Sequence, residues 1–342
     1  MSPSWNPSQM PNLAGKVAVV TGARSTCSKG LGIDTAKHLA VSGAKVYCAA
    51  RNEAKAMQTR RLLLSENPKI REENLVFLQL DLSNVESVLA AITELKGKEQ
   101  KIDILINSAG IVSGKEAANG AWDEVMMTCH IGHFIFTNGL FSLLKEAASL
   151  AGSDVRVVNV SSNTPNLFFP TNYRFDFSSK SVFNNVVSYY PWRWTYFAKW
   201  MFTLDMVRYS MAKMANQLFT KELQKRCDDH SIPILCLSLH PGAVGTSGAE
   251  EILKPLLRPL LRLSQITPDQ GSYNSLWAAT TSEPRLKMNM YKGNYIEPIG
   301  VLSPVHPVVH DGAQARGLWD NTTAEVNEYL RQRDLPVLPG WI

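Results

Sequence analysis

The sequence predicts an α/β fold: one doubly wound domain on a parallel sheet, with helices on both faces and an enlarged aromatic-rich loop. Three observations carry this expectation. Short apolar runs alternate with helical spacings from Val17 onward. Crossovers of about 20–30 residues separate successive runs, longer than any hairpin needs and suited to parallel pairing. Runs such as Val17–Val20 are apolar on both faces, as strands covered on both sides must be.

Val17–Val20 reads as the first strand, ended by Thr21 and Gly22. Gly30 and Gly32 then open a segment with Leu31, Ala36, Leu39 and Ala40 at helical spacing. A strand feeding a helix through glycines gathers free backbone N–H groups and a positive helix end at one point. That suits a pyrophosphate, although glycine-rich turns also serve as plain tight bends. Gly43 stops the helix, and Lys45–Ala50 is the second strand, with Arg51 at its end. A polar helix over 53–65 precedes the third strand, Leu75–Leu80, which Asp81 ends. A helix over 84–97 follows, then the fourth strand, Asp103–Asn107, and the turn Ser108-Ala109-Gly110. Residues 120–149 form a long helix, and Val155–Val160 is the fifth strand, ending in Ser161 and Ser162. Ligands of doubly wound sheets bind beyond the C-terminal strand ends. Gly22, Arg51, Asp81, Asn107 and Ser162 all fall there.

Residues 163–204 interrupt the rhythm as an insertion. Between Tyr189 and Phe202 stand eight aromatics: Tyr189, Tyr190, Trp192, Trp194, Tyr196, Phe197, Trp200 and Phe202. They read as a satellite core under a long loop, as a substrate lid, or as a membrane-surface contact, for which Arg193 and Lys199 are few cations. A helix over 205–229 and the sixth strand, Pro233–Leu239, lead to the turn His240-Pro241-Gly242-Ala243-Val244-Gly245-Thr246. Residues 249–263 read as an amphipathic helix interrupted by Pro255 and Pro259, within a 247–265 segment placed to cover a substrate mouth or to pack on the body. A helix over 268–281, a strand at Asn294–Ile296 and a helix over 323–333 complete the chain.

Composition narrows the function classes. The 35 basic and 30 acidic residues are dispersed, and a net charge of +5 argues against nucleic acid. The five cysteines, odd in number and without C-x-x-C spacing, read as free thiols of a reducing compartment. Residues 1–12, with three prolines, are expected to form a flexible arm ahead of a single domain over 13–342. No secretory signal and no apolar run of about 18 residues is seen, so a cytoplasmic protein without a membrane anchor is expected. A homodimer is left open.

Four pieces line up in order: the Thr21-Gly22…Gly30-x-Gly32 turn, Asn107-Ser108-Ala109-Gly110, Ser162, and Tyr209-x3-Lys213. Together they resemble the short-chain dehydrogenase/reductase family, from about residue 14 to 246, with a looser tail. Cys129-His-Ile-Gly-His-Phe-Ile-Phe-Thr137 and Leu239-His-Pro-Gly-Ala-Val-Gly-Thr246 look like its retinol-dehydrogenase-like branch. Gly293-Asn-Tyr295-Ile-Glu-Pro298 with Leu318-Trp319 looks like fungal members. The resemblance implies a Rossmann-type domain and hydride transfer with a nicotinamide cofactor.

Tyr209 and Lys213 stand one helical turn apart on one face. An ammonium beside a phenol favours phenolate, so a lowered Tyr209 pKa is expected, with Tyr209 as general acid. Away from a site, the same spacing is usually a snorkelling surface pair. The resemblance assigns Lys213 a bond to the nicotinamide ribose and Ser162 the substrate carbonyl oxygen, with Ser161 packed behind. It puts Asn107, Ala109 and Gly110 near the adenosine ribose, and Asp81 with Leu82 at the adenine amino group. The plainer role for Asp81 is a cap for the 84–97 helix, which Ser83 would serve better. It counts Pro241, Gly242 and Val244 among the cofactor-binding residues, and Thr246 would bond the carboxamide. Where the family has an asparagine steadying a proton-relay water, this chain has Cys129, a weak donor and acceptor. Thr128 or a backbone carbonyl would have to substitute, or the relay is slower. His130 and His133, at i and i+3 without a third ligand, read as packing residues rather than a metal site, as do His306 and His310.

NAD-specific members carry an acid after strand two, whereas this chain has Ala50-Arg51. Arg51 and Lys29 are therefore expected to favour the 2′-phosphate of NADPH, and with it carbonyl reduction. The first two glycines lie four residues further apart than in the family. Arg24-Ser25-Thr26-Cys27-Ser28, with Lys29, is expected to wrap the adenosine-phosphate end, the alternative being a solvated bulge. The aromatic and Leu-rich segments suggest a bulky apolar ketone or aldehyde, such as a secondary-metabolite ketone. Two rival readings remain. One is C=C reduction, separable by product analysis. The other is a non-catalytic cofactor-binding scaffold, against which the Ser162/Tyr209/Lys213 set argues.

Overall fold

A computed structural model describes residues 5–23, 30–116, 122–184, 186–187, 189–245, 252–258 and 265–340. The strands β1 (Val17–Thr21), β2 (Lys45–Ala50), β3 (Leu75–Gln79), β4 (Ile104–Asn107), β5 (Val155–Val160), β6 (Ile234–Leu239), β7 (Tyr295–Glu297) and β8 (Val301–Leu302) form one sheet. Their order is β3-β2-β1-β4-β5-β6-β7-β8. All neighbours are parallel except the β7–β8 pair. The order reverses between β1 and β4, the switch point at which such sheets open a crevice.

The helices are α1 (Leu31–Val41), α2 (Glu53–Glu66), α3 (Val85–Lys98), α4 (Glu124–Met126), α5 (Gly132–Ser149), α6 (Thr164–Phe168), α7 (Ser181–Asn184), α8 (Trp192–Tyr196), α9 (Met206–Asp229), α10 (Pro268–Thr280) and α11 (Gly312–Arg331). Strand residues alternate between two cores. Ala18 and Val20 join one with α1 and α10, and Val17 and Val19 join the other with α3, α5, α9 and α11. This two-sided burial is why the strands read as unbroken apolar runs. Arg156 in β5 is fully buried; it pairs with Asp154 and donates to the carbonyls of Ala278 and Thr281, tying α10 to the sheet.

The structure corrects several expected bounds. The 120–149 helix is described from Glu124 and includes a π-type turn at Met127–Ile131, where Cys129 sits. Neither Asp81 nor Ser83 caps α3; Asn84 does, accepting from Ser87 N. The last helix begins at Gly312 rather than near 323. Asp311 caps it by accepting from Ala313 N and Gln314 N, and Gly317 fits because a Cβ there would stand 2.6 Å from Ser178 Oγ. α11 covers α9, with Trp319 stacked on Phe219 and edge-on to Phe134. The strand β8 was not expected. Of the expected 249–263 helix, residues 252–258 are described: Leu253 forms an antiparallel bridge with Phe202 and Pro255–Leu257 a 3-10 turn, and the remainder lies outside the described residues. Among the described residues no helix is long and apolar enough to cross a membrane.

The inserted segment divides by exposure. Phe168, Phe169, Phe177, Phe183 and Trp194 are buried in the α9-side core, whereas Tyr189, Tyr190, Trp192, Tyr196, Phe197 and Trp200 are exposed. Of the 189–202 cluster, the satellite-core reading therefore fits Trp194 and the partly buried Phe202 only.

Candidate active site

The site is built where β1, β4 and β5 end. Gly22 adopts a φ of +73°, and a Cβ there would meet Ala109 Cα at 2.8 Å. A Cβ on Gly32 would stand 2.7 Å from Gly22 O, so the turn and the first turn of α1 touch through backbone alone. Gly30 is the N-cap of α1 and supplies no side-chain cap, and Leu31 is the first helical residue. The Gly30 carbonyl accepts from Ile33 N at 3.1 Å and Asp34 N at 3.3 Å, closing the first turn of the helix. Arg51 is exposed just past β2, where Gln79 donates to its carbonyl. Asp81 accepts from Ser83 N and Oγ through Oδ1, and Leu82 is buried. Arg24, Ser25, Lys29 and the rest of the inserted segment lie outside the described residues, as does Thr246.

Ser162, at 5% exposure, follows β5, and its hydroxyl accepts from Thr164 N at 3.2 Å. Ser161 Oγ donates to the Lys213 carbonyl at 2.7 Å, which fixes β5 against α9 from behind. Asp205 caps α9, accepting from Val207 N and Arg208 N, so Tyr209 and Lys213 occupy its first two turns. Lys213 is buried, and its Nζ donates to Val160 O at 2.9 Å and lies 5.5 Å from the Tyr209 ring centroid. A Cβ on Gly110 would stand 3.3 Å from Lys213 Nζ and 3.4 Å from Cys129 Sγ. The fourth strand's turn, the π-turn and α9 thus converge. Pro241, Gly242 (φ +95°) and Val244 border the group after β6, with Val244 bridged to Ile266.

The electrostatics differ from the sequence expectation. Burial raises the Tyr209 phenol well above its usual value, Cys129 adds to this, and a hydrogen bond with Ser162 pulls the other way. Burial also pushes the Lys213 ammonium down, with Cys129 opposing. The Lys213 Nζ, held by the Val160 carbonyl 5.5 Å from the Tyr209 ring centroid, does not offset the burial. Tyr209 is therefore a neutral acid with a proton to give.

Two polar chains run beneath these side chains, and sequence reading missed both. Asn107 Nδ2 donates to Asn159 Oδ1 at 2.8 Å and to Thr137 Oγ1 at 3.0 Å, while Asn159 Nδ2 donates to Thr220 Oγ1 at 2.9 Å. A polar Asn159 inside the apolar run Val155–Val160 was the available signal. In the second chain, Thr21 Oγ1 accepts from Ser108 N and Ala109 N, so its own hydrogen points to His133 Nε2 at 2.8 Å. His133 Nδ1–H then donates to Cys129 O at 3.0 Å, which fixes the neutral tautomer. Burial agrees, pushing His133 down to about 4. His133 thus does more than pack: it ties the π-turn to β1. His130 donates through Nε2 to Thr322, and His306 contacts the Pro170 carbonyl.

Comparison with known proteins gives this arrangement its context. A family model described as short chain dehydrogenase matches residues 16–174. The "Short chain dehydrogenase/reductase dpchH" of Colletotrichum higginsianum is 37% identical over 324 residues, covering 94% of this chain and 77% of that one. Retinol dehydrogenase 14 of Mus musculus is 31% identical over 319 residues, covering 90% and 84%. Among solved structures, a Mycobacterium paratuberculosis protein matches with a TM-score of 0.65 at 26% identity, over 94% of this chain and 96% of that one. NADPH-bound carbonyl reductase from chicken fatty liver shares the fold, with a TM-score of 0.59 at 20% identity over 86% of this chain and 100% of that one. A Rossmann-type sheet and fungal and retinol-dehydrogenase relatives along nearly the whole chain agree: the protein belongs to the short-chain dehydrogenase/reductase family of nicotinamide-binding oxidoreductases, as a retinol-dehydrogenase-like, fungal-type member.

Proposed function

We propose that the protein reduces a bulky apolar ketone or aldehyde to an alcohol with NADPH, Tyr209 protonating the carbonyl oxygen. The observation that carries this reading is the convergence of Ser162, a neutral Tyr209 and a buried Lys213 beside the Gly22–Gly32 turn. The residues fit a dinucleotide: α1 starts with no side-chain cap, and Gly22 and Gly32 leave no room for a Cβ where the strand and the helix meet. When bound, the reduced nicotinamide supplies the hydride that reaches the carbonyl carbon. Ser162 orients the carbonyl oxygen. Tyr209 donates its proton as negative charge develops on that oxygen, and the Lys213 ammonium stabilises the phenolate left behind. The same nearby cation that does little for the resting phenol thus gains importance once the proton has moved.

The preference for NADPH rests on Arg51, an exposed guanidinium where an NAD enzyme would carry an acid, and on Lys29 just before Gly30. The apolar surface between Tyr189 and Phe202, joined to the start of α9, supports a bulky apolar substrate. The fungal-type tail favours a secondary-metabolite ketone. A screen of NADPH oxidation over bulky ketones tests the reading. Turnover is expected, with a loss of about 10²–10⁴-fold in Tyr209→Phe. NADPH binding without turnover on any carbonyl would overturn it. Shortening the Arg24–Ser28 insertion is expected to weaken NADPH more than NADH; equal effects would leave the insertion without a role in cofactor choice.

A further inference from the structure

Among the described residues, every exposed aromatic side chain falls between Tyr189 and Trp200. Trp192 is 52% exposed, Tyr196 71%, Phe197 64% and Trp200 65%, and Met201 and Leu256 extend the same surface. The segment is not loose. Trp194 and Ala198 turn inward, Trp194 packing edge-on to Phe168 at 5.5 Å. Tyr190 OH bonds Asp205, the cap of the catalytic helix. A short antiparallel bridge, Phe202 to Leu253, brings residues 252–258 alongside, with Lys254 N donating to Met201 O. The surface is thus a rigid platform whose outer side is apolar.

Its charges are of one sign. Residues 189–204 and 252–258 hold Arg193, Lys199, Lys254 and Arg258 and no carboxylate. Lys199 Nζ lies 5.2 Å and Lys254 Nζ 5.7 Å from the Trp200 ring, and Arg193 lies 5.8 Å from Trp192. Of the two described acids that act on Tyr190, Asp205 spends its oxygens on Tyr190 and the start of α9, and Glu116 pairs with Arg208. Sequence alone showed two cations here. The fold adds two more by pairing the second segment with the first.

We propose that this platform docks the protein on the surface of an anionic phospholipid bilayer. Tryptophan and tyrosine prefer the zone between headgroups and acyl chains, where the ring is buried and its polar edge stays wet. Lysine and arginine stems lie along such a surface while their charges reach lipid phosphates. A protein partner of matching shape would also cover aromatics. Four cations beside an outward apolar face are the charge complement of an anionic lipid sheet. Docked this way, the start of α9 faces the membrane, so an apolar substrate could pass from lipid to the site without crossing water. The docking does not depend on which reaction the site performs, and it is tested without turnover.

The experiment is flotation of the full chain with vesicles of phosphatidylcholine alone or with phosphatidylserine at about one lipid in three, followed also by tryptophan fluorescence with brominated lipids. Binding to the anionic vesicles is expected, at least tenfold above neutral ones, reversed by salt, with quenching by bromine. Lys199→Glu with Lys254→Glu, and separately Phe197→Ser with Trp200→Ser, are expected to lower binding at least tenfold while leaving the thermal midpoint in place. Absence of binding at low salt, equal binding to neutral vesicles, or unchanged binding in both variants would overturn the proposal. So would concentration-dependent self-association that Phe197→Ser with Trp200→Ser abolishes while the parent ignores vesicles, since that would make the platform an interface between copies.

Discussion

Around Lys213 the chain buries polar groups, and around Trp200 it exposes apolar ones. Both regions hang on the first turns of α9. In the first, Asn107, Asn159 and Thr220 are almost fully buried, and each makes a side-chain hydrogen bond to another of them, so most of their desolvation is offset, Asn107 Oδ1 alone of the amide atoms having no partner. In the second, Tyr196 and Phe197 have water where their neighbour Trp194 has Phe168. A folded chain gains nothing by leaving such rings in water, nor by sinking amides into its core. The contrast teaches that the two departures from the inside–outside rule serve tasks outside folding: one holds a reacting geometry, the other awaits a surface.

The sharpest way to break the comparison is pH, because the histidines that burial shifts furthest lie in the inner region. Burial holds His133 and His240 down to about 4 and His130 to about 3, and both His133 and His240 also feel the Lys213 charge. The unfolded chain protonates these rings near 6.5. As pH falls through 6.5 toward 4, unfolding therefore takes up protons that the native state refuses, and the stability present above 6.5 is progressively lost. At about 1.4 kcal/mol per ring and pH unit, the three rings lose on the order of 8 kcal/mol by pH 4.5. Carboxylates whose native values are lowered, such as Asp269 at about 2, act only below about 4, so the window separates the two causes. Unfolding free energies from denaturant titrations between pH 7.5 and 4.5 should fall as pH falls, and the slope should be smaller by about one proton in His133→Gln. A flat midpoint over that range would remove the buried-histidine account of the centre.

A smaller effect is expected at Cys129, which is fully buried in the π-turn and donates weakly to Ile111 O at 3.5 Å. A thiol is a poor relay for protons reaching Lys213. Cys129→Asn should raise kcat several-fold, on the order of 1 kcal/mol of barrier, and shift the acidic limb of its pH profile. Unchanged turnover and an unchanged profile would show that the His133-held carbonyl or another group carries the proton instead.

Much of this was legible in the sequence, for physical reasons that also explain the gaps. β2 and β5 match their expected bounds because parallel strands buried on both faces leave continuous apolar runs. The order of the glycine turn, Asn107, Ser162, Tyr209 and Lys213 marked the crevice because every one of them sits at a strand end or on the next helix. The π-turn left no trace, since no residue type marks a helix that takes one extra residue per turn. The first half of α11 was missed because Gly312 and Gly317 look like breaks until Ser178 is seen to need the space. The Tyr209 pKa was read with the wrong sign because spacing reports that an ammonium is near, not that it donates elsewhere. The aromatic density at 189–202 was plain, but which rings face out depends on partners such as Phe168 that come from the other end of the insertion.

The smallest expected effect is also the one that defines the outer region. Tyr196 and Phe197 are among the most exposed aromatics and contribute little to the core. Replacing Tyr196 by Ser should change unfolding free energy by less than about 0.5 kcal/mol, the range of ordinary surface substitutions. The denaturant midpoint in the absence of lipid checks this. A loss of 2 kcal/mol or more, the scale of large-to-small changes in a core, would mean that the ring is covered in solution by other parts of the chain. The platform would then belong to the packed body, and the contrast with the Asn107–Asn159–Thr220 region would disappear.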